Sequence, residues 1–189
     1  MSASKRDVLV QRAFKIFYEN GFHATGMDML VKQTGVSKTA MYKHFRTKED
    51  LILAVLRLRD EQFRNWFTRR VEELADTPEE QLLACFEALG EWLAQKDFKG
   101  CMFIKASAEF QEDSHPLKAA SAEHKRLLFT FLRNIASRTA ARDPDLLARQ
   151  LLILKEGAIV TAHLQGADGV AAETRSAAKT IIDAALKAT

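Results

Sequence analysis

The chain has 189 residues, 47% of them hydrophobic and 28% charged. This excludes collagen-like, disordered and disulfide-stapled miniature proteins, and leaves one large domain or a small module joined to a larger one. Formal net charge is only +3, but up to Lys48 there are nine basic and three acidic residues, and after it 19 basic and 22 acidic. A cationic head on a mildly acidic body puts any contact with a polyanion at the head.

Cys85 and Cys101 fit no CxxC or Cys/His ligand spacing, and the first twenty residues carry Lys5, Arg6 and Asp7 rather than an unbroken apolar stretch. A reduced, soluble, cytoplasmic protein is therefore expected. No apolar run approaches the roughly 18 to 20 residues of a membrane span, so no membrane partner is expected. His23, His44, His115, His124 and His163 show no metal-ligand spacing, and neither a nucleophile motif nor a phosphate-cradling glycine loop occurs. The expectation is no metal, no cofactor and no enzyme. Glu109, Glu112, Asp113 and His115 read as a capped, solvated turn.

In chain order, Leu9, Ala13, Ile16 and Phe17 form the i, i+4, i+7, i+8 face of a first helix, closed by Asn20-Gly21. A short helix runs from about Met27 to Thr34 and stops at Gly35; another runs from Lys38 to Phe45 behind a Ser37 cap. Thr47-Lys48-Glu49-Asp50 opens a longer helix carrying Leu51, Val55, Leu56, Phe63, Trp66 and Val71. Thr77-Pro78, His115-Pro116 and Asp143-Pro144 mark three later starts. Helices of about 17, 10, 24, 22 and 18 residues are expected from Pro78, Cys101, Pro116, Pro144 and Val170. The chain reads as all-α with about nine helices, its domain boundary within or just after the helix that starts at Lys48.

The stretch from Thr25 to Phe45 carries the function. Leu30 and Val31 give its first helix a buried face, Gly35 permits a sharp turn, and Val36 fills the angle between two crossed helices. Ser37 caps the second helix, and Met41 and Phe45 point inward at i and i+4. That is a helix-turn-helix. Its outward face offers Lys38, Thr39 and Ala40 to base edges, and Tyr42, Lys43, His44 and Lys48 to phosphates.

Residues 8 to 56 resemble the DNA-binding region of the tetracycline-repressor (TetR) family. The resemblance rests on Gly21-Phe22, Thr25, Gly35-Val36-Ser37, Tyr42-Lys43-His44-Phe45 and Lys48-Glu49-Asp50-Leu51. It implies that Thr25 and the start of the second helix hold a phosphate, that Lys38 and Thr39 read bases, and that Tyr42, His44 and Lys48 anchor the backbone. The chain departs from the family pattern at Arg12-Ala13, where two small residues are usual, and at Leu30-Val31, where Ile-Ala is common. The implied organisation is an N-terminal three-helix helix-turn-helix DNA-binding domain over 4–64, with the motif at about 27–46, and a C-terminal helical ligand-binding and dimerisation domain over 65–189.

For the larger part, the resemblance implies a cavity for an unknown small-molecule effector. Candidate lining residues are Trp66, Phe86, Trp92, Phe103, Phe110 and Phe131, since aromatic walls suit apolar ligands. A helix N-terminus favours thiolate, which makes Cys101 a candidate sensor of electrophiles or oxidants. Leu151, Leu154, Ala158, Ile159 and Ala162 on one helix and Ala178, Ile181, Ile182 and Ala185 on the next are candidate dimer contacts, small enough for a four-helix bundle about a two-fold axis. The expected function is a homodimeric repressor released from a palindromic operator in double-stranded DNA by a small molecule. The alternative is a ligand-independent DNA-binding factor or an activator of the same fold.

Overall fold

The computed structural model describes residues 4–187. Among them it contains nine α-helices and no strand: α1 (Lys5–Asn20), α2 (Met27–Thr34), α3 (Lys38–His44), α4 (Lys48–Leu74), α5 (Pro78–Leu93), α6 (Met102–Glu109), α7 (Pro116–Ala136), α8 (Pro144–Gln165) and α9 (Val170–Leu186). No helix among these residues is long and apolar enough to cross a membrane.

The helix starts follow the cap chemistry of the sequence. Thr47 and Asp50 form a reciprocal box: each backbone N–H donates to the other's side chain at 3.0 Å. Thr77 and Asp143 accept from the amides of Glu80 and Leu146 ahead of prolines at the first helical turn. At α7 the cap is a histidine, because His115 Nδ1 accepts from the Leu117 amide at 3.2 Å.

Two helices are shorter than their spacing suggested. Cys101 and Phe110 are the caps of α6 rather than its members. At the end of α7 the amides of Arg138 and Thr139 turn back to the carbonyls of Ile135 and Ala136, and this tight i to i+3 pattern ends the helix.

The chain forms two compact units divided at three points, one within α4, one within α7 and one in the segment between α5 and α6. The first gathers the residues up to Phe63 with Cys101–His124; the second holds Arg64–Gly100 with the residues from Lys125 on. Segment 101–124 thus clusters with the N-terminal residues, which a single linear boundary at 64/65 does not express. The reason is side-chain chemistry. Phe110 of the α6 cap packs on Phe22 at 6.1 Å, and Lys105 Nζ lies 5.4 Å from the Tyr18 ring while donating to the Tyr18 carbonyl at 3.0 Å. In the same unit the Arg59 guanidinium of α4 lies 5.6, 5.8 and 5.3 Å from the rings of Phe14, Tyr18 and Phe63. These cation–π contacts join α4 to α1.

The second unit is built on α5, α8 and α9, which pack pairwise. Gly90 permits the approach of α5 to α9: a Cβ there would lie 2.8 Å from the Ala171 Cβ. We expect Gly90→Leu to force the two helices apart and to destabilise the chain by about 1–3 kcal/mol or more. A denaturant midpoint equal to wild type would refute that reading of the contact.

Lys155 of α8 is buried in this unit, 3.2 Å from Glu156 Oε1, and Lys125 of α7 reaches Glu156 Oε2 at 2.5 Å. Burial alone would push the Glu156 carboxyl up, but the two ammonium groups hold it below its ordinary value. Burial pushes the Cys85 thiol up to about 12, against the opposing pull of Lys155. Cys85 is therefore an inert core thiol.

Candidate nucleic-acid interface

The helix-turn-helix is fixed from within. Gly35 adopts φ +69 at the end of α2, a left-handed conformation that suits glycine, and its amide donates to the Val31 carbonyl. Thr34 is buried, donates its hydroxyl to the Leu30 carbonyl at 2.6 Å and accepts from the Val36 amide at 3.2 Å. Ser37 accepts from the Ala40 amide at 3.2 Å and so starts α3. Met41 and Phe45 are buried and fix the rotation of α3.

That rotation leaves Lys38, Thr39, Lys43 and His44 exposed, Tyr42 45% exposed and Ala40 half-buried. The exposed set holds two lysines and no acid, with hydroxyls for hydrogen bonding. It suits the acceptor-rich edges and phosphates of a DNA groove.

Two residues expected at phosphates have partners inside the protein. Thr25 is fully buried and donates its hydroxyl to the Gly21 carbonyl at 2.6 Å. Lys48, half-buried at the start of α4, donates to the carbonyls of Phe22 at 3.0 Å and Thr25 at 3.2 Å. Both hold the loop that leads into α2.

The same loop is gripped from its other side by Glu109, at the end of α6. Its carboxylate accepts from the Phe22 amide at 3.0 and 3.1 Å and from the His23 amide at 2.5 Å, and lies 3.6 Å from His23 Nδ1. Gly21, at φ +82, leaves room for it, since a Cβ would meet Glu109 Oε1 at 3.1 Å. A carboxylate thus holds the N–H groups of this loop and an ammonium holds its carbonyls. Local sequence pattern does not mark Glu109, because its partners lie more than 80 positions away in sequence. Arg12, which departs from the family pattern, donates its guanidinium to the Thr34 carbonyl at 2.6 Å and ties α1 to the C-terminus of α2.

A cavity of about 390 Å³ opens in the first unit between α4, α6 and α7. Of the six aromatic candidates, Phe103 lines it. Phe110 belongs to the same unit and packs against Phe22, His23 and His115. The other four lie in the second unit: Phe86 is buried on α5, Trp92 meets Phe98 edge-on at 5.1 Å, and Trp66 and Phe131 each lie against Phe67. Cys101 is buried at the N-cap of α6. Of the dimer candidates, Leu151, Ala158, Ile159, Ala162, Ala178 and Ile182 are buried within one chain, while Leu154, Ile181 and Ala185 are half-buried. The apolar residues that α8 does expose are Leu146, Ile153, Val160 and Leu164.

A compact helix-turn-helix whose second helix presents a basic, hydroxyl-bearing face, carried with further helices on one all-α chain, defines a DNA-binding transcriptional regulator. Comparison with known proteins gives the family. Residues 9–55 match the model of "Bacterial regulatory proteins, tetR family". A solved TetR-type transcriptional regulator from Streptomyces avermitilis is 32% identical over 97% of this chain and 98% of its own, with a TM-score of 0.83. A TetR-family regulator from Streptomyces coelicolor shares the fold at a TM-score of 0.90, 24% identical over 96% of each chain. The transcriptional repressor ComR of Escherichia coli (strain K12) is 30% identical over 67% of this chain and 63% of its own. The chain belongs to the TetR family of transcriptional regulators. Its relatives and its fold are those of regulators, not enzymes.

Proposed function

We propose that the chain is a homodimeric cytoplasmic repressor that leaves a palindromic operator when a small-molecule effector binds. The observation that carries this is the exposed face of α3. Lys38, Thr39 and Ala40, at its N-terminal end, read base edges; Ser37, Tyr42, Lys43 and His44 meet phosphates; Thr25 and Lys48 act by holding the loop before α2, with a spare Lys48 donor for the backbone. ComR, a repressor by name, supports the sign of regulation.

Selection of bound duplexes from a random pool tests this directly. The expected product is a two-fold symmetric site whose half-sites are separated by about 34–36 Å or a multiple. Lys38→Ala and Thr39→Ala should each relax preference at one or two positions per half-site, at about 1–3 kcal/mol for a specific contact, whereas Lys43→Ala should weaken all sequences alike. An unchanged site for Lys38→Ala would place α3 wrongly in the groove.

The second copy is expected on the exposed side of α8. Leu146, Ile153 and Val160 recur every seven residues and Leu164 continues the stripe, 42–74% exposed in the single chain, as a helix-to-helix seam requires. Leu154, Ile181 and Ala185 lie at its margin, and the buried candidates support it from beneath. Ile153→Glu combined with Leu164→Glu should give a monomer in sedimentation equilibrium and lose operator binding by at least about a hundredfold, since two heads no longer bind as a unit. An intact dimer would move the interface elsewhere.

Release needs an effector that prefers the non-binding state. Reversing a 99:1 population requires roughly 5.5 kcal/mol of differential affinity. Operator affinity unchanged across a metabolite panel would favour the ligand-independent reading instead.

A further inference from the structure

Arg6 stands outside the helix-turn-helix, in the first turn of α1, yet its side chain reaches the end of α3. The guanidinium carbon lies 5.0 Å from the centre of the Phe45 ring, and Phe45 is the C-cap residue of α3. Because Phe45 is buried, its ring is a fixed platform for the cation. One side chain thus carries a charge from α1 to the recognition helix.

That charge is poorly neutralised within the head. The ion-pair partner it has among the described residues is Asp7, at 3.7 Å, with the two side chains 51% and 56% exposed; an exposed pair at that distance contributes almost nothing. The Asp7 carboxylate is meanwhile engaged by Ser4, whose hydroxyl donates to it at 2.7 Å and accepts the Asp7 amide at 3.1 Å. Nor does α1 need the cation. Lys5 and Arg6 both occupy its first turn, the end at which the helix dipole disfavours positive charge.

Around Phe45 in the sequence, the exposed cationic or imidazole side chains are Lys43, His44 and Arg46, with no acid among them. A recognition helix reads bases with its N-terminal residues, and its C-terminal end can meet the DNA backbone. A planar guanidinium fork, held on a ring, matches the oxygens of a phosphate in two places at once.

We propose that Arg6 binds a backbone phosphate of the operator beside the C-terminal end of α3, so that α1 contributes to the DNA interface. This rests on the DNA-reading role of α3, which duplex selection by the wild-type chain tests first; failure to select any duplex overturns that reading and this one with it. With a duplex in hand, the outcomes concern Arg6 alone.

The experiment is the salt dependence of operator affinity, measured with the full chain by fluorescence anisotropy. Log affinity falls against log salt with a slope of about 0.9 per phosphate neutralised. Arg6→Gln is expected to reduce that slope by about 0.9 per head, or about 1.8 for two heads, and to weaken binding about fivefold or more near 0.1 M salt, with the two chains converging toward about 1 M. Sequence preference should stay as in wild type, because phosphates carry no sequence information. Arg6→Lys keeps a cation and should restore most of the slope. Both variants should melt within a few degrees of wild type, since the side chain is half exposed. Weaker binding with an unchanged slope would make Arg6 a brace for Phe45 and overturns the proposal. It is equally overturned if Arg6→Lys behaves like Arg6→Gln, if either variant changes base preference, or if Arg6→Gln keeps wild-type affinity and slope.

Discussion

Glu109→Ala is expected to cost about 2–4 kcal/mol of stability and to weaken operator binding at least tenfold. The carboxylate accepts the amides of both Phe22 and His23, and a hydrogen bond to a charged group contributes about 1.5–3 kcal/mol. Water can replace part of the loss at the exposed His23, but the Phe22 ring is fully buried and its amide is partly so. DNA affinity falls because residues 21–26 lead directly into α2, so a loosened loop lets α2 and α3 reorient together. Glu109→Gln keeps one acceptor and should recover more than half of both losses. Lys48→Ala should loosen the same loop through its carbonyls, weakening binding to all sequences. Urea denaturation and fluorescence anisotropy at fixed salt provide the two measurements. A Glu109→Ala variant with wild-type midpoint and affinity would show that packing alone holds the loop.

Glu156→Ala should lower stability by about 2–4 kcal/mol at neutral pH, because it removes the carboxylate 3.2 Å from the buried Lys155 ammonium; the value is discounted from the roughly 3–5 kcal/mol of fully buried pairs. Lys155→Met should be neutral or stabilising, since Glu156 keeps Lys125 and the buried charge disappears. The pH dependence follows from the direction of the shift. The folded carboxyl titrates below its ordinary value, so its contribution is complete above the ordinary value of about 4.3 and is lost as pH falls through the folded one. Glu156→Gln should therefore flatten the acid limb of stability measured by urea melts between pH 3 and 7. An acid limb as steep as wild type would assign it to other carboxylates.

What the sequence made legible was local. Caps, prolines and the spacing of Leu9, Ala13, Ile16 and Phe17 specify helices through interactions within a few residues, and the motif from Gly35 to Phe45 specifies its own turn and rotation. What escaped were contacts between distant positions: Glu109 with the loop at 21–23, Arg59 among three rings, and the return of segment 101–124 to the N-terminal unit. Pattern alone does not give direction on α8. Leu151 and Ile159 have the composition of an interface, but only packing reveals that they are buried within the chain while Ile153 and Leu164 are exposed. Aromatic residues likewise advertise a pocket by type, whereas the cavity in the first unit takes half of its lining residues from leucines, alanines and a proline, and one from a phenylalanine.

The discontinuity of the first unit bears on how the chain is made. The helix-turn-helix leaves the ribosome early, but Glu109, Phe110 and His124 follow it by dozens of residues. At about 5–20 residues per second, synthesis from residue 64 to residue 124 takes roughly 3–12 s. For most of that interval Phe22 packs on Phe17 without Phe110, and the loop amides lack the Glu109 carboxylate, so the DNA-reading part is born incomplete. Nascent chains released short of α6 would carry the recognition helix without its brace, and so should be poor competitors for the operator.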